Sequence, residues 1–222
     1  MQIVVIGNLN QQQEFKARFP EVVANFHRTH AEAYANGHLN ADCVLFDFMV
    51  LDEPNTFYAY ANYSPKAIFY NAPFAQLAQV ISRNKAINNC NLFGFNGLPT
   101  FFNRPLLEVS TLKRESLTTL TEITSFLKAD FRLVEDRVGM VTPRIVAMII
   151  NEAYFTLQEG TASKADIDLS MKLGTNYPYG PFEWAEKIGL KYVLHLIEAM
   201  YADTKDERYR VCPLLKTEAF LK

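Results

Sequence analysis

The spacing of apolar and polar residues changes once along this chain. Through the first half, short apolar runs alternate with polar stretches. IVVIG at 3–7 reads as a buried strand and QQQEFKARF at 11–19 as the helix that follows it. EVVANFH at 21–27 reads as a second strand, and ADCVLFDF at 41–48 as a third, followed by a loop with Asp52, Glu53 and Pro54. KAIFYNAP at 66–73 is a strand stopped by proline, and FAQLAQVISRN at 74–84 has helical spacing. NCNLFGFNG at 89–97 and PLLEVSTL at 105–112 read as two more strands. Strands alternating with helices imply a mostly parallel sheet in an α/β domain.

From Ser116 the period becomes helical. LTTLTEITSFLKAD at 117–130 reads as a helix. GMVTPRIVAMIINEAYFTLQEG at 139–160 has one broad apolar face and stops at glycine. A new helix starts in TASKADIDLSMKLG, where Ser163 and Asp166 resemble a capping pair. GPFEWAEKIGL places Pro181 and Glu183 in a first helical turn, and KYVLHLIEAMYADT continues as helix. Two domains are predicted: an α/β domain over 1–114 and an all-α domain over 115–222.

Composition narrows the function classes. Of 222 residues, 49% are hydrophobic and 21% charged, enough apolar residues for a real core. A net charge of −2 offers no electrostatic case for nucleic acid or an anionic membrane. No apolar run approaches the ~18 residues of a membrane helix, and no basic-then-apolar leader opens the chain, so a cytoplasmic protein is expected. Cys43, Cys90 and Cys212 are odd in number and far apart, which argues against a disulfide framework and against zinc. Four histidines, His27, His30, His38 and His195, have no metal-ligand spacing, and no G-x-S-x-G element is present.

The strand–glycine–helix opening is how a dinucleotide-binding βαβ unit begins, with Gly7 and Asn8 at the turn. Such a turn uses Gly-x-Gly-x-x-Gly, so that backbone approaches the pyrophosphate and helix N–H groups point at it. Here the second and third glycines are replaced by Leu9 and Gln12. The zone after the second strand carries His27, Arg28 and His30, where an acid would hold the ribose. A structural βα turn is the plainer expectation. The crowded MKLGTNYPYGPFEWAEKIGL segment reads, on physics alone, as a rigid helix–helix connection packed with aromatics.

That segment also carries a family resemblance. Leu173-Gly174, Tyr177-Pro178, Gly180-Pro181-Phe182-Glu183 and Gly189-Leu190 resemble the C-terminal domain of the 3-hydroxyacyl-CoA dehydrogenases. Val138-Gly139 to Arg144, Asn151-Glu152-Ala153, Glu159-Gly160 and Asp166-Ile167-Asp168 fit the same domain in order, so the likeness covers roughly 136–200. It implies a shortened Rossmann-like domain followed by a helical domain that often makes the dimer contact. It also implies NAD as cofactor, an acyl-CoA-type small molecule as ligand, and a homodimer as the assembly.

Ala41 to Phe46 is similar to the family's "ADLVIE" strand, and Ile68 to Pro73 to its "ASNTS" segment, which puts Asn71 beside substrate and nicotinamide. The span between the first strand and ADCVLF is short for the family, so part of the mononucleotide-binding layer is expected to be trimmed. The family's Gly-x-His-Phe-Phe-Asn-Pro, with a glutamate twelve residues after the histidine, falls on GFNGLPTFFNRPLLEV. Holding Gly94 and Glu108 in register puts Asn96 at the position of the general base and Glu108 at that of its orienting partner. Laying Phe101-Phe102-Asn103 on Phe-Phe-Asn puts Thr100 and Leu112 there instead. The first register keeps glycine, strand and spacing without a gap and is preferred; neither supplies a histidine. Pro143 stands before Arg144 where the family has asparagine.

An asparagine amide does not titrate near neutral pH and cannot serve as a general base, although it can hydrogen-bond a carbonyl. The expectation is therefore a 3-hydroxyacyl-CoA dehydrogenase-like protein with impaired chemistry. The alternative is a non-catalytic homologue that binds acyl-CoA or a partner.

Overall fold

A computed structural model describes residues 1–49, 64–83 and 90–221. The loop expected at Asp52, Glu53 and Pro54 lies outside the described residues. The chain divides into two units, Met1–Met140 and Val141–Lys222.

The first unit is built on a seven-stranded sheet. Its elements in chain order are β1 (Gln2–Ile6), α1 (Leu9–Arg18), β2 (Ala24–His27), α2 (His30–Ala35), β3 (Cys43–Asp47), β4 (Ala67–Asn71), α3 (Leu77–Arg83), β5 (Asn91–Phe95), β6 (Leu106–Ser110), α4 (Leu117–Phe126) and β7 (Asp130–Leu133). The spatial order is β2-β1-β3-β4-β5-β6-β7. Every neighbouring pair is parallel except β5–β6, where the 96–105 segment turns the chain back and sets Phe95 against Val109. Doubly wound dinucleotide folds of order 3-2-1-4-5-6 carry two strands outside the first; among the described residues β2 alone lies there, the trimming the sequence implied.

Side chains alternate between the two faces of a strand, so the near-continuous apolar runs feed two cores. Ile3, Val5, Phe46, Phe69 and Phe95 point to one face, with Phe15 of α1, Leu120 and Ile123 of α4, and Phe102 of the 96–105 segment. Val4, Ile6, Leu45, Ile68 and Tyr70 point to the other, with Ala33 of α2 and Leu77 and Val80 of α3. All three cysteines are buried and free. Burial pushes the Cys43 and Cys90 thiols above their ordinary range.

Three elements were not read from sequence. α2 is too short and too polar to show a period. The helix expected over 117–130 runs into the first residue of β7, and the rest of that strand had no expectation; Lys128 takes a left-handed turn (φ 52°) and the chain then pairs with β6. α9, described below, was not anticipated either. The domain boundary moves with β7. The period changes near residue 115, yet α4 fills the sheet core and β7 extends the sheet, so the first unit runs to Met140 rather than 114.

The second unit is all helical: α5 (Thr142–Gln158), α6 (Lys164–Thr175), α7 (Pro181–Ile188), α8 (Leu190–Thr204) and α9 (Pro213–Leu221). α5 buries Val146, Ala147, Ile150, Ala153 and Tyr154 along one face. Pro143 sits in its first turn, where the missing N–H costs nothing. Between α5 and the approach to α9, buried Asn151 acts as a clamp. Its Oδ1 accepts from the Cys212 N–H at 2.9 Å and its Nδ2 donates to the Arg210 carbonyl at 2.9 Å. Among the described residues, no helix is long and apolar enough to cross a membrane.

Candidate functional site

The C-terminal ends of β1, β3, β4 and β5 gather most of the residues singled out by sequence. At the β1–α1 turn, Asn8 caps α1 by accepting from the Gln11 N–H at 3.0 Å, while Gln11 Oε1 accepts from the Asn8 N–H at 2.8 Å. This reciprocal box uses two of the N–H groups at the start of the helix. Gly7 lies beneath it: a Cβ there would sit 2.8 Å from Gln11 Oε1 and 3.1 Å from Phe48 Cβ. Gln12, at the third glycine position, is buried, and its Nε2 donates to the Gly7 and His27 carbonyls at 2.9 and 3.1 Å. One amide thus ties α1 to β1 and β2 across the gap that close helix–strand packing would otherwise need glycine to close. Leu9, at the second position, is 55% exposed at the mouth of the turn. A shallow groove of about 450 Å³ runs over Asn8, Leu9, Asn10, Arg28 and Met49.

Asn71 ends β4 and is almost fully buried. Its Oδ1 accepts from the Gly97 N–H at 2.7 Å and its Nδ2 donates to the Phe48 carbonyl at 3.4 Å. Gly97 is required there, because a Cβ would lie 2.8 Å from both Asn71 Cγ and Phe48 Cδ1. Asn71 therefore locks the ends of β3, β4 and β5 together. Asn96 follows Phe95 and Glu108 precedes Val109, so the two positions flank the same end of the β5–β6 ladder. Asn96 is buried, and its Oδ1 accepts from the Leu98 N–H at 3.2 Å. The other register's residue, Thr100, has φ 74° and lies further along the segment, against α1.

Glu14 of α1 fixes that segment by accepting from the Thr100 N–H at 2.9 Å. Burial pushes the Glu14 carboxyl above the usual carboxylate range, and the Thr100 N–H opposes this. A raised folded pKa favours the protonated form. Its stabilising contribution is present below the unfolded pKa and is lost as pH rises through the folded one. Glu14→Gln keeps the acceptor without the buried charge. It should be more stable than the parent at pH 7, by about 0.5–1 kcal/mol, and the gain should shrink toward pH 4. Thermal unfolding at the two pH values checks this; a loss at pH 7 would contradict it.

Two charged or polar pairs that sequence reasoning did not assemble lie beside the turn. His30 Nε2 is 2.9 Å from Oδ2 of fully buried Asp47, whose Oδ1 accepts from the Met49 N–H at 3.0 Å. His27 Nε2 is 2.8 Å from His38 Nδ1. The clustering of three histidines between 27 and 38 was a visible signal, but only the fold shows which atoms meet. Among the described residues, no group of three ligand-type side chains converges to hold a metal.

In the helical unit, Asp168 of α6 accepts from the Phe182 and Glu183 N–H groups at 2.8 and 3.1 Å, capping α7 from another helix. Gly180 must be glycine, since a Cβ would fall 2.3 Å from Asp168 Cγ. Glu183 accepts from the Gly180 N–H at 3.1 Å and pairs with Lys172 at 2.8 Å. Lys172 first, and then the Gly180 N–H, hold its carboxyl below the usual range. Arg144 donates to the Tyr209 hydroxyl. The motif residues of this unit are thus engaged in building it.

Residues 139–219 match the family model described as "3-hydroxyacyl-CoA dehydrogenase, C-terminal domain". The chain is 48% identical over 89 residues to Escherichia coli 3-hydroxyadipyl-CoA dehydrogenase, covering 40% of this chain and 19% of that enzyme. It is 36% identical over 117 residues to a 3-hydroxybutyryl-CoA dehydrogenase of Bradyrhizobium diazoefficiens, covering 50% of this chain and 40% of that protein. The matches thus span less than half the length of these relatives. The crystal structure of M. tuberculosis FadB2 superposes with a TM-score of 0.76 over 99% of this chain and 93% of that one. At 17% identity, that likeness speaks for the fold alone.

Proposed function

We propose that this chain, whose residues 139–219 match the C-terminal domain of the 3-hydroxyacyl-CoA dehydrogenases, is a homologue of that family in which the family's reaction is strongly impaired. That reaction is NAD-dependent oxidation of 3-hydroxyacyl-CoA to 3-oxoacyl-CoA. The observation that carries the reading is the β1–α1 turn. Gln11 and Asn8 satisfy each other's N–H groups, Gln12 fills the glycine gap, and Gly7 has no room above it. These residues do not fit a dinucleotide pyrophosphate, which needs bare backbone and free helix N–H groups.

Asn96 adds a second, independent defect. Its amide oxygen bonds the Leu98 N–H and cannot take a proton near neutral pH, and Glu108 has no histidine to orient. The protein then acts as a binding module for an acyl-CoA-type molecule or as a subunit paired through its helical domain, in the cytoplasm. Ile145, Leu169, Leu173 and Phe220, all more than half exposed on helices of that unit, support pairing with a second copy.

The test is NADH oxidation with acetoacetyl-CoA at high protein concentration, for the parent and for Asn96→His, with NADH binding followed by its fluorescence. The parent should run on the order of 10²–10⁴-fold below a histidine-bearing relative. Asn96→His alone should recover little, because the turn still excludes the cofactor. Parent turnover well above a buffer control would end this reading.

A further inference from the structure

α2 and the turn after it lie at the edge of the sheet, beside β1 and β2. Thr29 caps the helix by accepting from the Glu32 N–H at 3.2 Å, and Ala33 and Leu39 are buried. Two histidine contacts also tie the segment down. His30 meets Asp47 of β3, and His38, just past the helix, meets His27 at the end of β2. The His27 ring is 5% exposed, and the His38 ring lies 5.0 Å from it, centroid to centroid.

A hydrogen bond between two imidazoles obeys a strict rule. One nitrogen must carry the proton and the other must offer a lone pair. The groups facing His27 settle which arrangement is favoured. Glu32 of α2 stands 3.9 Å from His27 Nδ1, so a proton on Nδ1 faces a carboxylate and Nε2 is left to accept from His38 Nδ1–H. From α1 comes the neutral Gln12 amide, bonded to the His27 carbonyl; from β1 comes the apolar Ile6 beside it. Arg28 donates its backbone N–H to Glu32 at 2.8 Å, and His30 is engaged with Asp47.

A first added proton leaves one ring as a charged donor while the other still offers a lone pair, so the bond survives and strengthens. A second proton removes the remaining lone pair and sets two like charges against each other, one of them buried. We propose that His27 and His38 form a proton-operated latch, which holds residues 28–39 on the sheet edge and releases them when both rings are charged. Release would loosen the segment carrying Arg28, which borders the groove over Asn8 and Leu9. Burial of His27 and the nearby charge of His38 hold the His27 pKa below the ordinary histidine value, while Glu32 pulls the other way. A lowered folded pKa means the stabilisation is full above the unfolded value near 6.5 and is lost as pH falls through the folded one.

The experiment is amide hydrogen exchange on the full chain from pH 7.5 to 5, corrected for intrinsic rates, with ring-proton NMR titration of the histidines alongside. In the parent, protection of residues 28–40 should fall roughly tenfold more than that of β1 and β3. His38→Gln, which can donate and accept but cannot charge, should keep the neutral-pH protection and lose the acid fall. The same fall in His38→Gln would assign it to His30–Asp47 and overturn the latch. Independent titration of His27 and His38 at the ordinary value would overturn it as well, whether or not the variant folds.

Discussion

Phe102→Ala should cost the sheet-bearing unit about 3–5 kcal/mol of stability, the usual loss for emptying a fully buried aromatic site. Phe102 is 0% exposed and is surrounded by rings from three separate parts of the fold. Its ring centre lies 5.7 Å from Phe15 of α1 and 5.9 Å from Phe19 just past that helix. It lies 5.0 Å from Phe48 just past β3 and 5.5 Å from Phe95 of β5. The cavity would open where helix, sheet and the 96–105 segment meet, with rigid strands on one side that cannot collapse into it. Phe102→Leu keeps most of the volume and should cost about 1–2 kcal/mol. Denaturant unfolding followed by hydrogen exchange in β1, β3 and β5 reads the effect. An alanine loss under about 1 kcal/mol would mean that the segment does not anchor the core.

Gly180→Ala should destabilise the helical unit by about 2–3 kcal/mol, despite adding only a methyl group. The new Cβ would meet Asp168, whose carboxylate must move and release the Phe182 and Glu183 N–H groups it caps. Asp168→Ala removes the same two bonds without the clash and should cost about the same. The double variant should then cost little more than either single one, since both act through one cap. The chain's single tryptophan, Trp184, lies on α7, so its fluorescence follows this unit directly. Fully additive losses would show that glycine and aspartate act separately.

Much of the fold was legible because burial on both faces writes itself as unbroken apolar runs. β1, β3, β4 and β5 are all of this kind, and each was read. β7 was not, because three of its four residues are charged or half exposed and nothing local separates it from the helix before it. That one strand also shifted the domain boundary, since a change of period marks local structure and not which core a segment joins. That no histidine lies between His38 and His195 was visible in sequence, as was the single glycine of the first turn. What the residues at those positions do was not. Gln12 reaches the carbonyls of Gly7 and His27, twenty residues apart in sequence, and Asn71, placed by resemblance beside a ligand, is tied to Gly97 and Phe48. In the helical unit, the residues that made the family recognisable proved to be helix caps and clamps: Asn151, Asp168, Gly180 and Glu183.

The three buried thiols have a practical consequence. Cys43 and Cys90 lie in the first unit and Cys212 in the second; all three are buried, and Cys43 and Cys212 are 0% exposed. An alkylating reagent can reach Cys43 and Cys212 only when the surrounding unit opens, and each labelled peptide carries its own mass. A timed pulse under native conditions therefore acts as two clocks in one molecule, one for the sheet and one for the helices, with no reporter introduced and no residue changed.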